Sequence, residues 1–382
     1  MLRVLDEFFK LKSLKFEFLF LLVYYLVRSS YNFLTMGSLA LFLGLLIFSF
    51  VVTSIAIVPF IDLLYHLKFQ RAKQVTRDIF GKLTPIFDKF HRQKAGVPVG
   101  GGMLVILVVS LLFITFLPLM SRMGIDVTSV YTDHQTEKNI LFFTFLSFGF
   151  LGLYDDIKKF FGFEKDRFFG LKASFKFFLQ IVLAVIIASM LHFQLGISIL
   201  NIPFIGTFEL GLGFIPFATF VIVSFANAVN ITDGLDGLAS GVLMISLFGL
   251  WFLSASILDV PLALFLSLWI GSLVSFLYFN VFPARLFLGD VGALAFGATL
   301  GVVGLLLGKV VALGIIGFIF VFEVSSSLIQ ILGRKFWKKK IFPAAPFHLT
   351  LQQHGWEEPK IVQRVWLMQI MLTLFGVWLA VI

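Results

Sequence analysis

Five aspartates stand where long apolar runs meet polar sequence, and each has the chemistry to act on a phosphate or a metal ion. Asp155 and Asp156 are adjacent, Asp233 and Asp236 lie three positions apart, and Asp290 follows Gly289. An ionisable residue beside membrane-spanning sequence is a functional candidate. We expect the five carboxylates to converge on one surface of the protein.

The adjacent carboxylates of Asp155 and Asp156 repel each other and therefore need a cation nearby. Lys158 and Lys159 follow at once and could supply it, as could a metal ion. The alternative is a solvated helix end beside a run of charge. Both interpretations stay open on these residues alone.

Asn227, Asn230 and Asp233 recur at every third position, which places them on one face of a helix, and Asp236 continues the series. Amides and carboxylates on one face, beside glycines such as Gly234, favour a pocket that binds a polar ligand. The alternative is a pair of Asp-Gly turns. A plain turn does not need the two preceding asparagines, so the pattern favours the pocket.

Asn280 and Asp290 flank a loop that contains a proline. A single carboxylate between small residues suits Mg²⁺, which takes one or two protein carboxylates together with substrate phosphates. Asp290 would equally serve as the N-cap of a helix that begins at Val291.

The segment from Lys94 to Gly102 opens another apolar run with three consecutive glycines. Such a helix start could present N–H groups to an anion, although close helix packing explains the glycines as well. Glu323 is the clearest carboxylate inside an apolar run, and we interpret it as a hydrogen-bonded core carboxyl, with a proton relay as the alternative. The absence of cysteine excludes a thiol nucleophile and iron–sulfur clusters.

The elements that carry these residues are membrane helices. Of the 382 residues 59% are hydrophobic and 13% are charged, which is far more apolar than a soluble domain. A span needs roughly 20 apolar residues. The sequence predicts an all-α, polytopic membrane protein with ten spans near residues 38–65, 98–119, 139–154, 175–193, 214–230, 237–257, 262–282, 291–308, 310–332 and 362–382. Strands are not expected, because the apolar runs do not alternate.

The basic residues predict the orientation. Alternate loops carry 22 of them on one side and 3 on the other, so the richer side is cytoplasmic and both termini lie outside. The five basic residues of the N-terminal tail disagree with this assignment. We predict an interfacial or periplasmic segment at 1–37, including the short apolar run Phe16–Val27, and one transmembrane domain at 38–382. A net charge of +9 then reports orientation and contact with anionic lipid, and nucleic acid is not an expected partner.

Taken together, these segments resemble the polyprenyl-phosphate N-acetylhexosamine-1-phosphate transferase superfamily. The run Asn227–Gly237, the run Phe287–Gly292, the Asp155-Asp156 pair and the segment Gly355–Pro359 carry the resemblance over residues 38–382. They are most similar to the bacterial branch that transfers phospho-N-acetylmuramoyl-pentapeptide from UDP to undecaprenyl phosphate, releasing UMP on the cytoplasmic face of the inner membrane. The resemblance also implies Mg²⁺ as cofactor and a homodimer.

The resemblance assigns roles by position. Asp155 and Asp156 would activate or orient the lipid phosphate, and Asp290 would be catalytic and bind Mg²⁺. The remaining residues that it places around the substrates are Lys94, Lys159, Lys176, Asn227, Asn230, Asp233, Asp236, Asn280, Phe287, Gly289, Gln330 and His348.

The chain departs from the family pattern at the sugar and peptide end. Leu349 and Thr350 stand where the family has the second and third of three histidines, and Val97 and Val99 replace threonines. A related transferase that moves another N-acetylhexosamine phosphate is therefore a second hypothesis. A transporter is a third, and it predicts paired charges at the bilayer midplane with broken helices.

Overall fold

The computed structural model describes residues 37–70, 94–123, 125–161 and 171–382. The predicted N-terminal segment, with Phe16–Val27, lies outside the described residues. The described parts form α1 (Gly37–His66), α2 (Gly101–Arg122), α3 (His134–Phe161), α4 (Ala173–Phe193), β1 (Ile199–Ile202), β2 (Gly206–Glu209), α5 (Phe214–Thr232), α6 (Leu238–Ser256), α7 (Val260–Asn280), α8 (Gly289–Leu306), α9 (Val310–Ile316), α10 (Phe318–Phe336), α11 (Phe347–Gln353) and α12 (Glu358–Val381).

The prediction of an all-α, multi-pass membrane protein is confirmed. In the described part of the chain nine helices are long and apolar enough to cross a membrane, and α9 with α10 makes ten if the pair counts as one span. Helices suit this solvent because every backbone polar group inside the bilayer needs a partner within its own segment.

The third helix is longer than expected. We predicted a span at 139–154, whereas α3 runs for 28 residues from His134 to Phe161. The acid pair therefore lies within the last two turns of the helix and does not terminate it. Lys158 and Lys159 continue the helix past the apolar run, and the charge of Lys159 is paired with Asp155 one turn earlier.

The predicted span near 310–332 is not one straight helix. It breaks at Gly317, and α9 and α10 meet at 79°. Gln369 Nε2 and Ser246 Oγ both donate to the carbonyl of Ile316, at 2.5 Å and 3.0 Å, so the last carbonyl of α9 is satisfied where the helix stops. Gln369 lies on α12 and Ser246 on α6, both far from Ile316 in sequence, so the hydrophobic periodicity of the chain could not reveal the break.

The expectation of no strands was wrong in one place. Ile199–Ile202 pairs antiparallel with Gly206–Glu209 in a hairpin between α4 and α5. Strands of four residues are too short for apolar alternation to stand out.

Helices α7 and α8 form the centre of the described structure, since 94% of an 18-residue apolar stretch of each helix is buried. Two glycines let neighbouring helices approach the start of α8. A Cβ on Gly102 would collide with the backbone of Gly292, and a Cβ on Gly152 would collide with the carbonyl oxygen of Asp290. These contacts bring α2 and α3 to the Asp290 end of α8.

We predict that Gly152→Ala lowers the free energy of unfolding by about 1–3 kcal/mol, because α3 must shift away from the backbone of α8. Thermal unfolding in detergent measures this. Gly314→Ala is the control, since a Cβ there meets nothing within 4 Å. Equal melting temperatures for the two variants would contradict the role of this contact.

Candidate active site

The carboxylates of α3 and α8 meet around a lysine that lies one turn after the acid pair. Lys159 Nζ lies 2.9 Å from Asp155 Oδ2 and 2.8 Å from Asp290 Oδ2. Asp155 is 2% exposed and Asp156 is 1% exposed. Burying carboxylates at this spacing is costly unless such a cation lies beside them.

A second lysine reaches the same carboxylates from α4. Lys176 Nζ lies 2.9 Å from Asp155 Oδ2 and is also paired with Asp290 Oδ2. Asp155 Oδ1 accepts a hydrogen bond from the N–H of Leu171 at 2.6 Å. The three aspartates and two lysines, here called the ion cluster, are Asp155, Asp156, Asp290, Lys159 and Lys176. The solvated helix end was therefore the wrong interpretation of the acid pair, and of the two nearby lysines it is Lys159 that pairs, while Lys158 is exposed.

The side chain of Asp156 contacts a different group from that of Asp155. Its Oδ2 accepts a hydrogen bond from the N–H of Val291 at 3.0 Å, within the first turn of α8. Asp290 itself lies in that first turn, and the N-cap position belongs to Leu288. The prediction that Asp290 caps the helix was wrong, because a carboxylate from α3 supplies the acceptor.

Lys94 forms a second charged group with Asp236 and Glu358, here called the Lys94 group. Lys94 Nζ lies 2.7 Å from Asp236 Oδ1 and 2.6 Å from Glu358 Oε1. The N–H of Asp236 donates to Glu358 Oε1 at 2.5 Å, and the N–H of Ala284 donates to Asp236 Oδ2 at 2.9 Å. Asp236 thus ties three loops together. It does not continue a helical series, because α5 ends at Thr232.

A cavity of about 280 Å³ touches both charged groups. Burial and the nearby charge of Asp290 raise the pKa of Asp233, which lies in its wall, to about 7. The lining residues are Lys94, Val97, Val99, Asp156, Asn230, Ile231, Asp233, Gly234, Leu235, Asp236, Asn280, Phe287, Gly289, Asp290, Pro346 and His348. An anionic ligand here would meet Lys94 and several carboxylates that a cation would have to screen, with Lys159 and Lys176 paired to Asp290 at the wall.

His348 lines the cavity, and its Nε2 has no hydrogen-bond partner among the described residues. Its Nδ1 lies 3.2 Å from Glu323 Oε2, and its backbone N–H donates to Glu323 Oε1 at 3.2 Å. Glu323 therefore orients the imidazole, which favours the core-carboxyl interpretation of this residue. Leu349 and Thr350 are buried away from the lining, so the absent histidines of the family pattern leave the described cavity wall unchanged.

The glycine segment does not present N–H groups to a ligand. The N–H groups of Gly100 and Gly101 both donate to the carbonyl of Phe287, at 3.0 Å and 2.8 Å, and that of Gly102 donates to Leu288 at 2.9 Å. The anion-binding hypothesis for this segment was wrong, and the close-packing alternative holds. Its effect is to bring Phe287 and Val99 to the cavity.

Three predicted residues have side chains that serve the protein itself. Asn227 Nδ2 donates to Gln180 Oε1 at 2.5 Å, and Gln330 Nε2 donates to the carbonyl of Phe342 at 3.0 Å. Neither residue lines the cavity. Asn280 does line it, while its amide accepts from Ser240 and donates to the carbonyl of Leu286.

Comparison with known proteins finds a matching family model and similar sequences. Residues 139–308 match the model of glycosyl transferase family 4. A phospho-N-acetylmuramoyl-pentapeptide-transferase of Clostridium perfringens is 36% identical over 319 residues, which cover 83% of this chain and 90% of that protein. A protein of the same name from Borreliella burgdorferi is 33% identical over 349 residues, covering 86% and 92%. One from Desulfotalea psychrophila is 37% identical over 306 residues, covering 75% and 80%.

The chain belongs to the phospho-N-acetylmuramoyl-pentapeptide-transferase family. It is therefore a transferase of the membrane, and the expected resemblance is confirmed. The break between α9 and α10 is a feature that the transporter hypothesis also predicted. Membership of this transferase family, with the ion cluster gathered at helix ends, decides against that hypothesis.

Glu358 is the charged residue that the sequence reasoning left without a role. Its segment, Gly355–Pro359, contributed to the resemblance, but the residue lies 264 positions from Lys94. A glutamate at the first position of an apolar span was the available signal, because a carboxylate there needs a partner.

We predict that Glu358→Ala lowers the free energy of unfolding by about 1–3 kcal/mol, because the N–H of Asp236 and the ammonium of Lys94 each lose a buried acceptor. The matched control is Glu357→Ala, which removes an exposed carboxylate one residue earlier. Thermal unfolding of both variants in detergent checks the difference. A loss of the same size in the control would show that the Lys94 group is not the cause.

Proposed function

We propose that this chain transfers phospho-N-acetylmuramoyl-pentapeptide from its UDP carrier to undecaprenyl phosphate, yielding lipid I and UMP. The relatives named for this transfer cover most of the chain. The observation that carries the proposal within the molecule is the ion cluster at the wall of the cavity. Asp156 and Asp290 line the cavity, and Lys159 and Lys176 are both paired with Asp290, so cations and carboxylates lie close to where two phosphate groups could be held together.

Phosphoryl transfer needs positioning and charge neutralisation more than covalent chemistry from the protein. Lys159 and Lys176 are the cations for this task, and in the structure they neutralise Asp155 and Asp290. When phosphates enter, the lysines exchange a carboxylate partner for a phosphate oxygen. Asp155 or Asp156 then orients the lipid phosphate or accepts its proton.

The nucleotide and sugar side would lie along the opposite wall. Phe287 presents an aromatic ring, Asn230, Asp233 and Asp236 present polar groups, and Lys94 presents an ammonium 6.0 Å from the Phe287 ring centroid. His348 contributes its unpartnered Nε2. Gly289 has no side chain, so a ligand could approach its backbone closely. We place Asn227 and Gln330 behind this wall, where they support it through Gln180 and through the 341–342 segment.

A divalent cation fits the acidic edge of the cavity, and we propose Mg²⁺. Asp156, Asp233 and Asp290 line the same cavity with hard oxygen donors. No group of three or more acidic or histidine ligands is arranged to hold a metal in the described ranges. That suits Mg²⁺, which takes few protein carboxylates and is completed by phosphates and water. Asp290 would hold it, and bound there the ion would offset the charge of the pyrophosphate.

The lipid substrate would enter sideways from the bilayer, because the ion cluster lies at the ends of α3, α4 and α8. The loop charges favour a cytoplasmic position for that surface, and we propose that the membrane is the bacterial inner membrane. The homodimer implied by resemblance remains a prediction.

The deciding experiment is a donor test with purified protein in detergent, undecaprenyl phosphate and Mg²⁺. We expect UMP release with UDP-N-acetylmuramoyl-pentapeptide and little with UDP-N-acetylglucosamine. Release only with the second donor would overturn the proposal in favour of another N-acetylhexosamine phosphate transferase.

We further predict that Asp290→Asn and Asp156→Asn each lower the rate of UMP release by roughly 10²–10³-fold, because a carboxylate facing the phosphates is lost. EDTA should abolish the wild-type rate and Mg²⁺ should restore it. Asp62→Asn, an exposed aspartate, is the control and should retain the full rate. Wild-type turnover in Asp290→Asn would remove Asp290 from the assignment.

A further inference from the structure

The end of α10 and the residues after it form an exposed run that the proposed reaction does not use. The eight residues from Arg334 to Ile341, here called the basic–aromatic segment, are all exposed. Five of them are basic and none is acidic. Phe336 and Trp337 are each 67% exposed. None of the eight lines the cavity described above.

Helix α10 presents two different faces. Glu323, Ser326 and Gln330 are buried against the rest of the protein, while Phe322, Ile329 and Phe336 are exposed on the other side. In a membrane protein an exposed apolar helix face meets lipid. The basic–aromatic segment therefore continues directly from a lipid-facing surface.

The lysines of this segment have no anionic partner among the residues that the structure describes. In the described parts of the chain, none of Lys335, Lys338, Lys339 and Lys340 is in an ion pair. The ring contact that they do make is that of Lys335, whose Nζ lies 5.6 Å from the Phe336 ring centroid. Their charge is thus available to an external anion.

We propose that the basic–aromatic segment binds the phosphate headgroups of anionic phospholipids in the cytoplasmic leaflet. That leaflet is negatively charged and attracts lysine clusters beside a membrane helix. Tryptophan and phenylalanine settle at the level of the headgroups, and lysine side chains extend from there to phosphate oxygens. Anionic phospholipid fits this site because its charge is opposite to that of the lysines and because the adjoining surface of α10 faces lipid.

Occupation of the segment would also steady the residues that lead into α11, the helix that carries His348. Gln330 Oε1 accepts hydrogen bonds from the N–H groups of Ile341 and Phe342, both at 2.9 Å. The end of the segment is therefore bonded to the buried face of α10. Anionic lipid that holds the segment should raise the melting temperature of the whole protein.

The test titrates the full chain in detergent with phosphatidylglycerol and, separately, phosphatidylcholine, and counts bound lipids by native mass spectrometry. We expect preferential binding of phosphatidylglycerol, together with a rise in melting temperature. Replacing Lys338, Lys339 and Lys340 by serine should weaken phosphatidylglycerol binding roughly tenfold or more and remove that rise. Replacing the same three by arginine should preserve both.

The matched control removes three exposed basic residues from elsewhere on the same predicted face, by replacing Lys68, Arg285 and Lys360 with serine. It should change the affinity less than twofold. Should the triple serine variant fail to fold, the single variants Lys338→Ser, Lys339→Ser and Lys340→Ser are measured instead, and each should weaken binding severalfold.

Unchanged phosphatidylglycerol binding in the serine variants would overturn the proposal. So would an unchanged affinity for this lipid combined with a raised half-saturating concentration of polyprenyl phosphate, since the segment would then serve the substrate. The binding readout does not depend on catalysis, so failure of the proposed reaction would leave this result separately interpretable.

Discussion

The structure depends on the pairing of two buried aspartates, Asp155 and Asp156, and the partly buried Asp290 with two lysines. A carboxylate taken out of water costs several kcal/mol unless a cation and hydrogen-bond donors replace the solvent. Here Lys159 and Lys176 supply the cations, while the N–H groups of Leu171 and Val291 supply donors. The charged residues lie on α3, α4 and α8, so the need to pair them fixes the positions of these three helices relative to one another. The same pairing leaves lysines and carboxylates ready for phosphate.

The Lys94 group applies the same physics across the cavity. Asp236 lies in the loop after α5 and Glu358 at the start of α12, and the ammonium of Lys94 is paired with both. The members of each group belong to separate segments, and backbone N–H groups donate to their carboxylates. Both groups contribute residues to the cavity lining, and helix packing brings them together. Close contact at Gly102 and Gly152 is what permits that packing.

Much of the site could be predicted from the sequence because charge is scarce in this chain. The convergence of Asp155, Asp156 and Asp290 followed from their positions at the ends of apolar runs, and they do meet. The local interpretations fared worse. The three glycines looked like an anion-binding helix start, and Asp290 looked like a cap. Both failed because a group from a distant segment, Phe287 in one case and Asp156 in the other, had already satisfied the backbone.

The sequence by itself determined the class of protein, the approximate helices and the residues able to bind phosphate. These properties depend on local hydrophobicity and on the cost of charge in lipid, which any window of the chain reports. Only the tertiary structure decided which lysine pairs with which aspartate, that α9 and α10 are separate helices, and that Glu358 joins the site. Those outcomes depend on contacts between residues far apart in sequence. Their energies come from desolvation and geometry that exist only once the helices have packed.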